Sequence, residues 1–191
     1  MTQFEYIAVL VSVIAGLGIV HLLRGVARFF TARDIYKPYW VHILWTWNVF
    51  HFIVFFWWFV WRWSSITEWQ LVLFVFILIY AICLYLMCAI LYPSDRDGKV
   101  DFKTVYFENQ QVFFLLWVIA IVLDIIDTRW KMSYGLQGFG TTIIVLWTTL
   151  ITGSLIAARV RSHLYHAIWG IAFFACMAYF EFMAFSVLRA D

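Results

Sequence analysis

Charged residues are scarce in this chain of 191 residues, where they make up 13% against 65% hydrophobic residues. Soluble domains usually contain about 25% charged and about 45–50% apolar residues. A chain of this length cannot bury so much apolar surface in a water-soluble fold, so the composition predicts a membrane protein. The net charge is only +2 and no basic run is present, so we expect no nucleic-acid partner.

Several sequence signatures of chemistry are also missing. Cys83, Cys88 and Cys176 lie inside apolar runs without a CxxC pair, which is typical of buried, unreactive thiols. The chain has no nucleophile elbow, HExxH, Walker loop or dinucleotide fingerprint. These absences favour a non-enzymatic role and leave an enzyme open. The N-terminus has no basic segment, so the first apolar run is expected to stay as a membrane span.

Long apolar runs are abundant instead, and a spanning helix needs about 20 mostly apolar residues. Six segments meet this requirement: roughly 4–29, 39–61, 69–92, 109–129, 137–159 and 164–188. The sequence therefore predicts an all-α bundle of six transmembrane helices in a single domain, 1–191. The polar residues before the fourth span are expected to lie along the membrane surface.

Basic residues are unevenly distributed between the two sides of this predicted bundle. Nine lie in or beside alternate connections (Arg24, Arg28, Arg33, Lys37, Arg96, Lys99, Lys103, Arg159, Arg161), and four lie on the other side (Arg62, Arg129, Lys131, Arg189). Cytoplasmic loops carry the excess of Lys and Arg. This asymmetry predicts that both termini are periplasmic. Arg24, Arg28, Arg159 and Arg161 are expected to reach lipid headgroups.

Two stretches resemble a group of uncharacterised bacterial polytopic membrane proteins. They are "FEYIAVLVSVIAGLGIVHLL" at the start and "LYPSDRDGKVDFKTVYFENQQVFF" around the fourth helix. The resemblance runs over most of the chain and implies a multi-pass protein of the bacterial inner (plasma) membrane. The group has no established activity, ligand or catalytic residue, so the resemblance implies none for this chain.

Four histidines are predicted at similar depth near the cytoplasmic face: His21, His42, His163 and His166. Imidazole nitrogens ligate haem iron and other transition metals. His21 with His42 or His166 is therefore a candidate haem b or metal site. Hydrogen bonding at the membrane interface explains the same histidines without a cofactor, so the cofactor stays open.

The first helix also carries a stripe of small residues on the same side as His21. Gly18, His21, Gly25 and Arg28 lie close together in helical projection. Small residues let a neighbouring helix approach closely. The stripe predicts a packing seam that carries His21 into the bundle.

A second polar layer is predicted from the middle of the membrane outward. Glu181 lies in the apolar sequence "MAYFEFMAF", at a depth where a charge costs at least about 2.5–3.5 kcal/mol. His51 and Asn48 in the second helix, or arginines from the outer face, are its expected partners. Asp124 lies at similar depth. Asp127 lies one turn beyond it, and local ion pairing with Arg129 and Lys131 is an alternative explanation for both aspartates.

These residues leave three functions open. The leading hypothesis is a protein that binds or translocates a small solute, ion or lipid. Its site would be Glu181 with His51, Asn48 and Asp124, and a homo-oligomer would complete the pathway. The second is a redox protein that binds haem or quinone through the cytoplasmic-side histidines. The third is a structural or assembly subunit with no site.

Overall fold

The computed structural model describes residues 2–93, 98–136 and 140–185, with side chains up to residue 182. Within these ranges the long helices are α1 (Gln3–Thr31), α2 (Trp40–Trp61), α3 (Leu71–Leu91), α4 (Phe102–Ser133), α5 (Thr141–Arg159) and α6 (His163–Phe185). A 3-10 turn, Arg62–Ser65, extends α2. Strands β1 (Tyr36–Lys37) and β2 (Val100–Asp101) pair in parallel. The predicted all-α class is confirmed, because six helices are long and apolar enough to cross a membrane.

The ends of the helices follow local sequence signals. Thr2 and Glu5 form a capping box at the start of α1, each side chain accepting a hydrogen bond from the other's backbone N–H. Gly135 adopts a positive φ of 71° just after α4. Leu136 N–H then donates to Lys131 O, the pattern of a Schellman end. The predicted start at 137 and the predicted end at 188 lie outside the described residues.

Helix α4 is longer than the sequence analysis predicts. It begins at Phe102 instead of 109, and its first residues continue the helix without a separate surface segment. The side chain of Asp101 caps this start by accepting a hydrogen bond from Lys103 N–H at 2.8 Å. The search for apolar runs did not include these first turns of α4, because their side chains that face away from the protein are polar.

Helix α2 occupies the middle of the bundle. It contacts α1, α3, α4 and α6, while neighbouring helices around it pack as α1 on α3, α3 on α4, α4 on α5 and α5 on α6. The centre of this arrangement is aromatic: Trp45 packs on Phe114 with ring centroids 4.7 Å apart, and Trp117 packs on Phe173 at 4.5 Å. Each such pair contributes about 0.5–1.5 kcal/mol beyond area burial.

The predicted seam on α1 is confirmed. A Cβ at Gly18 would lie 3.2 Å from the Cys88 sulfur, and one at Gly25 would lie 2.3 Å from the ring of Tyr92. Glycine therefore allows α3 to approach α1 closely. His21, on the same stripe, contacts the backbone of Tyr92.

The bundle has two chemically different ends. The tryptophan end, defined by Trp61, Trp63, Trp69 and Trp130, lies where α1 and α3 begin and α2 and α4 end. The histidine end, defined by His21, His42, His163 and His166, lies where α3 and α5 end and α6 begins.

Candidate functional site

Glu181 lies against α2, as the sequence analysis predicts. Its side chain is 2% exposed, and Oε2 lies 3.0 Å from Nε2 of His51, whose side chain is 15% exposed. This contact is at ion-pair distance but is not aligned as a hydrogen bond, and Oε1 has no hydrogen-bond partner among the described residues. The rings of Phe55 and Phe174 pack on His51, with centroids 4.8 Å and 5.0 Å away. A buried carboxyl group with such sparse hydrogen bonding is a candidate site.

Asn48 does not bond to Glu181, although the sequence places it in the same layer. Its Nδ2 donates to Leu44 O and to Gly170 O, both at 3.1 Å. The second bond crosses from α2 to α6, where Gly170 leaves space for Leu44. Asn48 therefore fixes α6 against α2 one turn before His51 and helps to position the His51–Glu181 pair.

Asp124 belongs to a different contact. Trp147 of α5 donates its indole N–H to Asp124 Oδ2 at 2.8 Å. Asp124 and Trp147 line a cavity of about 20 Å³ between α2, α4, α5 and α6. Met177 and Phe180 of α6 also line this cavity, so it lies close to Glu181 along α6.

Asp127 and Lys131 form a closed buried network at the tryptophan end. The Lys131 ammonium pairs with the Asp127 carboxylate one turn away and donates to Phe59 O at 2.7 Å. Trp63 donates its N–H to Asp127 Oδ1 at 2.8 Å, and its ring lies 5.5 Å from Lys131 Nζ. The i, i+4 spacing made the Asp–Lys pair predictable from sequence. The contacts of Trp63 and Phe59 with this pair could not be predicted from the sequence, because they depend on how the end of α2 packs against α4.

Two histidines at the other end bind the last carbonyls of α3. Nε2 of His42 lies 2.8 Å from Leu91 O, and Nε2 of His21 lies 2.8 Å from Tyr92 O. The last carbonyls of a helix have no partner within it, and here they lie among apolar side chains. The imidazoles supply the missing N–H donors, which explains why polar residues occur in these apolar helices.

The remaining histidines are also engaged with protein groups. His166 is fully buried, with Nε2 2.8 Å from Val160 O and Nδ1 2.8 Å from the Tyr106 hydroxyl. Nδ1 of His163 lies 2.7 Å from the Tyr39 hydroxyl. Within the described ranges, no group of three or more His, Cys, Asp or Glu side chains converges to hold a metal. Haem or metal binding by His21, His42 or His166 stays a prediction.

The four arginines expected at headgroup depth lie at the histidine end. Arg24, Arg159 and Arg161 are exposed. The guanidinium of Arg28 lies 5.8 Å from the Tyr36 ring, and Arg161 donates to Phe107 O at 3.3 Å. These positions are compatible with headgroup contacts on one side of a bilayer.

No family model, no curated protein and no solved structure matches this chain. The resemblance noted from the sequence therefore stays an expectation.

Proposed function

We propose that this protein is a small multi-pass protein of the bacterial inner membrane that binds a proton at Glu181 and carries it across the bilayer. The observation that supports this proposal is the His51–Glu181 pair. A carboxyl group lies almost fully buried between α2 and α6, and its polar contact among the described residues is an imidazole at 3.0 Å. Ionisable groups within membrane segments are costly and commonly mark ion or proton pathways.

The hydrogen bonding of Glu181 separates it from a structural ion pair. Asp127 and Lys131 show how this fold satisfies a buried pair: with an indole donor and a backbone acceptor as well as each other. Glu181 has no such additional donor among the described residues. A carboxyl group with an unbonded oxygen next to a titratable imidazole is suited to gaining and losing a proton.

The proposed orientation follows from the charge asymmetry of the sequence. The positive-inside rule places the histidine end in the cytoplasm and the tryptophan end, with both termini, on the periplasmic side. Glu181, near the end of α6, then lies in the outer half of the membrane. His51 lies in the same layer, on the opposite side of the contact between α2 and α6.

A homo-oligomer is part of the proposal. The cavity near Glu181 has room for about one water molecule, which is too small for a continuous water path through one copy. His51 is partly exposed at the side of the bundle, where a single copy would present it to acyl chains. A second copy against α2 and α6 would cover His51 and provide the other wall of a pathway.

The redox alternative has weaker geometric support. The Nε2 atoms of His21, His42 and His166, through which histidines commonly bind iron, each lie 2.8 Å from a backbone carbonyl. A metal at Nε2 would displace these hydrogen bonds and leave a helix end unsatisfied.

Proton flux in liposomes tests the proposal. Purified protein is reconstituted with a pH-sensitive dye inside, and flux is driven by a pH gradient or a potassium diffusion potential. Wild-type protein should acidify or alkalinise the lumen faster than protein-free liposomes. Glu181→Gln keeps the shape of the side chain but cannot titrate, so it should reduce the flux to the protein-free rate.

Glu68→Gln is the matched control, because Glu68 is exposed in the connection before α3 and undergoes the same chemical change. This variant should conduct like wild type. Wild-type flux that Glu181→Gln leaves unchanged would refute the proposal, as would a wild-type rate equal to that of protein-free liposomes.

A further inference from the structure

The cavity between α2, α4, α5 and α6 lies outside the His51–Glu181 pair and has polar walls of its own. Its volume is about 20 Å³, and a space of about 10–15 Å³ on this measure holds one water molecule. The polar residues among those lining it are Asp124, Asp127, Thr128, Lys131 and Trp147. The cavity can therefore hold one species about the size of a water molecule in contact with carboxylate and hydroxyl oxygens.

The charges around this cavity do not balance. Among the described residues that line it, Asp124 and Asp127 are acidic and Lys131 is the single base. Lys131 is paired with Asp127, whereas the partner of Asp124 is the neutral indole N–H of Trp147. The Tyr80 hydroxyl of α3 is buried and has no hydrogen-bond partner among the described residues. When Asp124 is ionised, its negative charge therefore has no basic partner among the described residues that line the cavity.

A second observation comes from Thr128. Thr128 is 4% exposed and lines the cavity. No hydrogen bond links its hydroxyl to another described residue. Thr148 and Thr149, by contrast, donate to the carbonyl one turn earlier. A hydroxyl on a buried residue at the cavity wall, without a hydrogen-bond partner among the described residues, is available to a ligand.

We propose that this cavity binds one monovalent cation between the Asp124 carboxylate and the Thr128 hydroxyl. A single positive charge neutralises the net negative charge of the residues that line the cavity. The Asp127 carboxylate offsets the repulsion between the Lys131 ammonium and the bound cation. Oxygen ligands suit a hard cation such as sodium, and a proton on Asp124 is the competing way to neutralise this carboxylate. No three His, Cys, Asp or Glu side chains gather in the described ranges, so the site is not built for a transition metal. This cation site is separate from the proton-binding site proposed at Glu181.

Thermal unfolding of the detergent-purified protein tests this proposal. Midpoints are measured in sodium chloride and in choline chloride at equal ionic strength, each at several pH values. A bound cation raises the midpoint by about 2–4 °C when its concentration is about five times its Kd. Asp124→Asn removes the uncompensated charge and keeps an acceptor for Trp147, so it should lose this response while remaining folded.

Two further variants complete the test. One distinguishes sodium binding from protonation of Asp124, and the other shows whether the response arises at this site. Thr128→Val should abolish a response to sodium but keep a response to acid, because a proton needs only the carboxylate. Asp34→Asn makes the same change at an exposed position and should respond like wild type.

The outcomes decide the proposal independently of the flux assay. A midpoint that rises with sodium and that no longer does so in Asp124→Asn or in Thr128→Val supports the site. A wild-type midpoint that does not respond to sodium, even if it rises with acid, overturns the proposal, as does an Asp124→Asn variant that keeps the wild-type response. Glu181→Gln should keep the response whatever its flux, and loss of the response there would overturn the assignment to Asp124.

Discussion

Lys131 near the end of α4 and Glu181 near the end of α6 are both almost fully buried in a chain with few charges, yet their surroundings differ. The Lys131 ammonium contacts the Asp127 carboxylate, a backbone carbonyl and the face of an indole ring. Glu181 has an imidazole at 3.0 Å, and Oε1 has no hydrogen-bond partner among the described residues.

The difference separates a pair whose contacts suit a structural role from a pair whose contacts suit the proposed proton binding. A buried ion pair offsets its desolvation cost only when further hydrogen bonds satisfy its remaining polar atoms. The Asp127–Lys131 pair meets this condition and ties α4 to the end of α2 through Phe59 and Trp63. The His51–Glu181 pair does not meet it, so we expect this pair to contribute little to stability.

The largest expected effect is at Lys131. Lys131→Met leaves the Asp127 carboxylate buried without its cation and removes the donor to Phe59 O. We expect the free energy of unfolding to fall by about 3–5 kcal/mol, as when one partner of a buried pair is removed. Unfolding by SDS titration in mixed micelles, followed by circular dichroism, measures this change.

The double variant Asp127→Asn with Lys131→Met is the control for this prediction. It removes both charges and keeps an oxygen acceptor for Trp63, so it should recover much of the stability lost in Lys131→Met. Equal losses in the single and double variants would show that the pairing of the charges is not what stabilises this end.

An intermediate effect is expected at the histidine end, where imidazole side chains satisfy the end of α3. His42→Leu leaves Leu91 O buried without a donor, which should lower the free energy of unfolding by about 1–3 kcal/mol. His42→Gln retains an N–H donor and should lose less. If both variants are as stable as wild type, the carbonyl has another donor and the capping role is wrong.

Much of the fold was predictable because lipid imposes a simple rule on sequence. Every backbone polar group in the bilayer must be satisfied internally, so each apolar run of sufficient length indicates a helix. The start of α4 was missed because Phe102–Asn109 contains polar residues, and the capping by Asp101 is a local signal that hydropathy does not record.

The candidate site was predictable only in part. Depth along the helices placed Glu181 and His51 in one layer, and they are in contact. The same depth placed Asn48 and Asp124 there, but they bond to Gly170 O and to Trp147. Depth gives a coordinate along the membrane normal, whereas contact also depends on which helices are neighbours. Helix order around α2 cannot be read from six apolar runs alone.

A smaller effect is expected when Glu181 is changed to Gln. The variant removes the carboxyl group from a site with little hydrogen bonding and keeps the shape of the side chain. We therefore expect the free energy of unfolding at neutral pH to change by less than about 1 kcal/mol. The SDS titration used for Lys131→Met measures it. A loss as large as that of Lys131→Met would make Glu181 a structural residue and would remove the contrast between the two pairs.

The smallest effect is expected at the exposed pair of Lys37 and Asp101, where Nζ and Oδ2 lie 3.2 Å apart. Partial burial raises the pKa of Asp101, but the Lys103 N–H and the Lys37 ammonium outweigh it, so the pKa lies below the ordinary value of 3.8. A carboxyl group with a lowered pKa stabilises the folded state above its ordinary pKa, and this contribution disappears as the pH falls through the lowered value. Asp101→Asn keeps the cap and removes the charge, so at neutral pH it should be less stable by about 0.2–0.5 kcal/mol. Thermal unfolding of both proteins between pH 7 and pH 3 measures the difference, which should shrink below pH 3.8. A difference that stays constant over this range would assign it to the shape of the cap and not to the charge.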